Sequence, residues 1–237
     1  DRTDIELPAV QRELIDALHR AGKKIILVNC SGSPIGLEPE TQKCEAILQA
    51  WYPGQQGGKA VAEVLFGDYN PAGKLPVTFY RNVSQLPDFE DYNMTGRTYR
   101  YMQDVPLFPF GYGLSYTTFG YGKTVLDKNE LTAGQSLKLT VPVTNTGKRN
   151  GEEVVQVYLR KQGDAEGPIK TLRAFKRVSI PAGKTVNVEF DLKDKELEWW
   201  DAQSNTVRVC PGNYDIMVGG SSIPIIDTCN YLFQQSS

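Results

Sequence analysis

Histidine is almost absent: His19 is the single one in 237 residues. A two-histidine zinc motif cannot be built from it, and Cys30, Cys44, Cys210 and Cys229 include no Cys-x-x-Cys pair, so neither a metal site nor a cofactor is expected. Charge of one sign is lacking as well. Lys and Arg number 26 against 28 Asp and Glu, a formal net charge of −2, and no basic block interrupts that balance. The electrostatic footprint of a nucleic-acid partner is missing. Apolar residues make up 40% and charged residues 23%, the proportions of an ordinary folded domain rather than of a disordered chain or a membrane protein. Internal repeats and low-complexity tracts are absent too.

The length suits one large domain or two ordinary ones, with ample chain to bury a core. Such a chain needs no covalent staples, so the four cysteines are expected as free thiols, although three pairings are possible on paper. The first residue is Asp1, and no charged-then-apolar leader follows it, which suggests a mature, clipped or engineered segment. The sequons at Asn82 and Asn93 would matter only in a eukaryotic secretory pathway.

Two hydrophobic periods divide the chain. Val10, Leu14, Ala17, Leu18 and Ala21 recur at helical spacing between Pro8 and Gly22, which predicts an amphipathic helix. The continuous run Lys24 to Asn29 reads as a strand buried on both faces of a parallel sheet, and Ala46 to Trp51 as a second. Residues 38–43 would cross between them, and Gly58 to Phe66 would form another helix with Val61, Val64 and Leu65 on one face. After about Leu114 the period becomes two, in Leu137, Leu139, Val141 and Val143, in Val155, Val157 and Leu159, in 186–192 and in 214–218. Turn signals such as Asn145-Thr146-Gly147 and Pro211-Gly212-Asn213 separate these runs. The expected architecture is therefore an α/β partial sandwich, a mostly parallel sheet with helices, followed by an all-β immunoglobulin- or fibronectin III-like sandwich. The boundary falls between Leu114 and Phe119, giving domains 1–114 and 115–237. Residues 67–113, rich in Pro, Gly and Tyr, form a long joint.

Little in the chain reads as catalytic machinery. Pro53 to Gly58 precedes a helix, but its glycines do not follow Gly-x-Gly-x-x-Gly and no P-loop closes, which argues against phosphate binding. His19 lies off the apolar stripe of its helix, on a face expected to be solvated, and is a poor general base. Asp68, Asp88, Glu90 and Asp91 are loop acids of the kind that solvent usually covers. Trp51 and Tyr52 stand at a strand's carboxyl end, where open α/β sheets place ligands, and aromatic faces suit sugar rings. They are the candidate substrate-binding residues, with packing into the joint as the alternative reading; none is assigned as catalytic. Trp199-Trp200 is expected to put one ring in the sandwich core and the other over an edge.

Longer motifs carry a resemblance. Ala50-Trp51-Tyr52-Pro53-Gly54-Gln55-Gln56-Gly57-Gly58, Val64 to Thr78, Tyr99-Arg100-Tyr101 and Pro106 to Phe119 follow one another in an order that resembles glycoside hydrolase family 3. Val141 to Gly147 and Gly151 to Tyr158 resemble that family's fibronectin type III-like domain. The resemblance implies the second half of the α/β sandwich domain (1–114) plus the fibronectin-like domain (115–237) of a retaining, exo-acting β-glucosidase or β-xylosidase. It further implies that the nucleophile lies in an N-terminal barrel and the acid/base upstream of Asp1. The isolated chain is then expected to be inactive, supplying scaffold and a wall of the substrate site. The implied partners are an oligosaccharide or aryl β-glycoside and the absent barrel, and the implied location is periplasmic or extracellular. Unpaired sheet positions could also drive self-association. A non-catalytic carbohydrate-binding or adhesion module is the alternative.

Overall fold

The computed structural model describes residues 3–132 and 134–234. The chain divides into two compact units, one of Asp1–Tyr69, Val77–Thr98 and Met102–Pro109, the other of Asn70–Pro76, Tyr99–Tyr101 and Phe110–Ser237.

In the first unit, helix α1 (Ala9–Arg20) leads to β1 (Ile26–Asn29), α2 (Glu38–Thr41), β2 (Ala46–Gln49) and α3 (Gly57–Phe66). Strands β1 and β2 pair in parallel, from Ile26 opposite Ala46 to Asn29 opposite Gln49. Pro8 suits the start of α1 because its carbonyl takes the amides of Gln11 and Arg12 while its own ring needs no donor. The core gathers Leu7, Ile15, Ile25, Ile35 and Leu37, with Leu27, Ile47 and Leu107 packed against them.

Two expectations for this unit fail. Helix α1 does not bury the predicted stripe; Val10 is 71% and Leu14 60% exposed, while Ile15 is buried. Polar bonds from α2 and the residues just after it set the rotation: Arg12 Nε donates to Glu40 at 3.0 Å, and Lys43 pairs with Asp16. Residues 12, 15 and 16 share a face at helical spacing, so drawing 12 and 16 toward residues 40 and 43 turns Ile15 inward and the stripe outward. Strand β1, for its part, is not covered on both faces, since Ile26 is exposed and Leu27 and Val28 are half-buried. A two-stranded sheet cannot enclose both faces of its strands.

The second unit is a two-sheet sandwich. Its strands are β3 (Phe119–Tyr121), β4 (Val125–Leu126), β5 (Glu130–Leu131), β6 (Leu137–Asn145), β7 (Gly151–Lys161), β8 (Thr171–Ile180), β9 (Thr185–Leu192), β10 (Trp199–Asp201), β11 (Thr206–Arg208), β12 (Gly212–Gly219) and β13 (Asp227–Phe233). One sheet runs β5-β13-β12-β7-β8; the other is centred on β6, with β3 and β4 along one edge and β9 along the other. The expected alternation holds: Leu137, Leu139, Val141 and Val143 face Val155, Val157 and Leu159 in one core with Val188, Leu192, Ile216 and Val218. Trp199 is buried there, its Nε1 donating to Asp164 at 2.6 Å, while Trp200 is exposed.

Strand β7 breaks the alternation, being buried from Glu153 to Leu159. Its outer face is covered by pieces of the joint. Tyr99 stacks on Phe110 with ring centroids 4.2 Å apart and meets Tyr158 edge-on at 5.8 Å. Gln156 Nε2 donates to the carbonyls of Gly111 (3.2 Å) and Gly220 (2.6 Å), and Tyr158 donates to its Oε1. Asn70 accepts from Ser115 Oγ (2.8 Å) and Tyr116 N (2.7 Å) and donates to the Asn150 carbonyl (2.9 Å). Residues 70–76, 99–101 and 110–118 are thus stitched into the sandwich body.

Candidate functional site

The parallel pairing of β1 and β2 brings their carboxyl ends side by side, the place where open α/β sheets hold ligands. Asn29 closes β1 and Gln49 closes β2, directly opposite in register. Asn29 Nδ2 donates to Gln49 Oε1 at 2.6 Å and to Ser31 Oγ at 3.0 Å, Gln49 Nε2 reaches Ser31 Oγ at 3.2 Å, and the Ser31 hydroxyl donates to the Ser33 carbonyl at 2.9 Å. Buried amides demand such partners, because each one left unmade costs about 1–3 kcal/mol. The network therefore ties the loop after β1 to the end of β2.

Trp51 and Tyr52 follow β2 immediately and diverge. The backbone of Trp51 sits in the left-handed region, at φ 56°. For a bulky residue that costs on the order of 1–3 kcal/mol, and strain of this kind collects at functional sites. Its indole meets Phe79 edge-on, with centroids 6.1 Å apart and an interplanar angle of 73°, so the ring is half-buried against a fully buried partner. Tyr52 turns outward and is 79% exposed, yet the edge of its ring lies on Gly32: a Cβ there would fall 2.5 Å from Tyr52 Cε2. Only a residue without a side chain lets the ring and the backbone come so close.

Amides, a serine hydroxyl and two aromatic rings make up this arrangement. The exposed Tyr52 ring can stack on a flat ligand face, while the amides and the serine hydroxyl are bonded to one another. None of the arrangement's members, Asn29, Ser31, Gln49, Trp51 and Tyr52, carries a carboxyl group, imidazole or thiol that could move a proton or attack a carbon. Of the acids considered from the sequence, Asp88 and Asp91 are occupied within their own loop. Asp88 accepts from Glu90 N at 2.9 Å, and Asp91 accepts from Asn93 N and Nδ2 at 2.9 and 2.8 Å, bonds that hold the Asp91 carboxyl below its usual range. His19 is exposed on α1. None of the four cysteines is disulfide-bonded, and burial raises the thiols of Cys44, Cys210 and Cys229. Among the described residues no group of three or more His, Cys, Asp or Glu could hold a metal ion.

Asn29, Ser31 and Gln49 were not singled out from the sequence. The signal that could have found them is Ser31-Gly32-Ser33, a small-residue turn at the carboxyl end of a predicted strand, the position at which a ligand approaches backbone.

Comparison with known proteins supplies the context of this geometry. Residues 1–116 match the model of the glycosyl hydrolase family 3 C-terminal domain, and residues 153–222 that of the fibronectin type III-like domain. A xylan 1,4-beta-xylosidase of Xylanibacter ruminicola is 59% identical over 223 residues, covering 94% of this chain and 26% of that protein. A periplasmic beta-glucosidase of Salmonella typhimurium is 39% identical, covering 93% of the chain and 30% of that protein. Among solved structures, a β-glucosidase from Erythrobacter marinus superposes with a TM-score of 0.87 at 40% identity, covering 99% of this chain and 31% of its own length. A β-glucosidase from Listeria innocua in complex with isofagomine superposes with a TM-score of 0.84 at 29% identity, covering 98% and 34%. The chain thus spans between a quarter and about a third of the length of these relatives.

Proposed function

We propose that this chain, a member of glycosyl hydrolase family 3 through its C-terminal domain and the fibronectin type III-like domain that follows, is the carboxyl-terminal part of a retaining exo-acting β-glucosidase or β-xylosidase. The carrying observation is the composition of the site: Trp51 and Tyr52 offer aromatic faces beside the Asn29–Ser31–Gln49 network, and none of these residues supplies a carboxyl group. Retaining hydrolysis requires two carboxyls about 5–5.5 Å apart across the scissile bond. Both come from sequence outside this chain, and the chain alone is inactive.

Within that enzyme, Trp51 and Tyr52 form a wall of the leaving-group site, and residues 115–237 form a fibronectin-like scaffold. The working partners are an oligosaccharide or aryl β-glycoside and the barrel that carries the nucleophile. Free sheet edges at β1 and β2 promote self-association when that remainder is missing. The relationship to a periplasmic beta-glucosidase supports a periplasmic or extracellular setting.

Fragment complementation tests this reading. The part of the Xylanibacter xylosidase that this chain does not cover is mixed with the chain and assayed on nitrophenyl β-xyloside and β-glucoside. Neither piece alone should turn over, the mixture should, and Trp51→Ala in the chain should raise KM more than it lowers kcat. Turnover by the chain alone, or a mixture as inert as its parts, refutes the assignment.

A further inference from the structure

The loop of residues 87–97, in the α/β unit, is bonded chiefly to itself. Asp91 N donates to the Asp88 carbonyl at 3.1 Å and Arg97 N to the Met94 carbonyl at 3.0 Å, which makes two successive turns. One guanidinium then gathers the whole loop: Arg97 Nε donates to the Asn93 carbonyl at 2.9 Å, and its terminal nitrogen donates to the carbonyls of Asp88 (3.4 Å) and Asp91. Five planar donors in a rigid fork suit this task, since several carbonyls are held by one side chain.

This frame displays two aromatic rings. Phe89, on the first turn, and Tyr92, between the two turns, are each 90% exposed, with exposed Glu90 between them. Aromatic residues bury roughly 150–250 Å² each, so the pair offers about 300–500 Å² of contact. A stable protein interface needs about 1,200–2,000 Å² in all, which two rings on a short loop cannot provide, whereas one or two pyranose rings need no more than is here. Charge narrows the ligand further. Asp88, Glu90 and Asp91 flank the two aromatic residues in sequence, and the loop's one cation, Arg97, is spent on backbone carbonyls. An acidic tip repels phosphates and anionic lipid surfaces but accepts hydrogen bonds from neutral hydroxyls.

We infer that Phe89, Glu90 and Tyr92 form an accessory contact for a neutral β-linked saccharide, the rings stacking on the flat faces of pyranose units and the carboxylate accepting from their hydroxyls. This inference rests on the β-glycosidase reading and adds to it a second saccharide contact, on elements other than those that carry Trp51 and Tyr52. Arg97 is its positioning residue.

The test is an NMR titration of the full chain with xylotetraose and with cellotetraose. Saturable shifts confined to residues 88–93 are expected at millimolar ligand, with affinity falling about tenfold for Phe89→Ala or Tyr92→Ala and disappearing in the double variant. Because both rings are exposed, these variants should unfold at the same temperature as the parent. Arg97→Ala keeps the rings but releases the frame, and should weaken binding while moving the loop's backbone signals. Absence of saturable shifts in the parent chain overturns the inference, as does binding that survives the double variant. A concentration-dependent doubling of mass that the double variant abolishes also overturns it, by assigning the rings to a second copy. Restored hydrolysis in the complementation assay without loop binding refutes this inference alone; loop binding without restored hydrolysis refutes only the catalytic reading.

Discussion

Lys74→Met should unravel the junction between the joint and the sandwich. Lys74 Nζ lies 3.3 Å from Glu153 Oε1, their side chains 15% and 6% exposed, and the same carboxylate accepts the Tyr121 hydroxyl at 2.9 Å. Lys74 also donates to the Gly113 carbonyl at 3.2 Å, so one ammonium binds residues 70–76, residue 113 and β7 together. Removing one member of a buried ion pair leaves the other uncompensated, at a cost of about 3–5 kcal/mol. Lys74 retains some access to water, which places the expected loss near the lower end, about 3 kcal/mol. For a unit of this size that corresponds to roughly 9–15 °C in Tm.

The pH dependence separates this explanation from a simple packing defect. Burial holds the Glu153 carboxyl above its usual value of 4.5, against the opposing pull of Lys74 and of the Tyr121 hydrogen bond. With Lys74 gone the carboxyl rises further. A carboxyl raised in the folded state binds its proton more tightly there than when unfolded, so its cost is full above the folded pKa and vanishes below 4.5. The deficit of Lys74→Met should therefore be largest at neutral pH and close as the pH falls toward 4.5. Urea melts across this range, followed by near-ultraviolet circular dichroism, measure it, and adding Glu153→Gln to Lys74→Met should recover most of the loss at neutral pH. A deficit below about 1 kcal/mol, or one of equal size at every pH, refutes the buried-pair argument.

Two further outcomes follow from close contacts. Asn145, fully buried, donates to the carbonyls of Arg149 (2.7 Å) and Ile180 (2.8 Å) and accepts from Thr117 Oγ1 (2.6 Å) and Gly147 N (3.1 Å); Asn145→Ala should cost about 3 kcal/mol, read as a lower urea midpoint with an unchanged slope. Gly113→Ala would place a Cβ 2.1 Å from the Gly73 carbonyl oxygen, a backbone atom that cannot swing aside, and should lower Tm. Gly58→Ala in α3, with nothing within 4 Å of its Cβ, should instead be neutral or gain up to about 1 kcal/mol.

The difference between what the sequence announces and what only the structure supplies is one of range. Strand β6 is legible because its period of two reports a single buried face, and the strand has just that. Strand β7 misleads because Gln156 and Tyr158 are buried by Tyr99, Phe110 and Gly111, residues more than forty positions away whose arrival no local period encodes. Helix α1 is legible as a helix, but its rotation is chosen by Arg12–Glu40 and Asp16–Lys43, each spanning nearly thirty positions, against the pull of its own apolar stripe. The same division runs through the candidate site. Trp51 and Tyr52 stand out at the end of a predicted strand, whereas Asn29 and Gln49 acquire meaning only when the parallel register sets them opposite each other. An isolated polar residue has no period to betray it, so networks of buried amides escape sequence reading even when both strands are correctly placed. In this chain the buried polar networks Asn29–Ser31–Gln49, Gln156–Tyr158 and Lys74–Glu153–Tyr121 hold the connecting segments to the sheets.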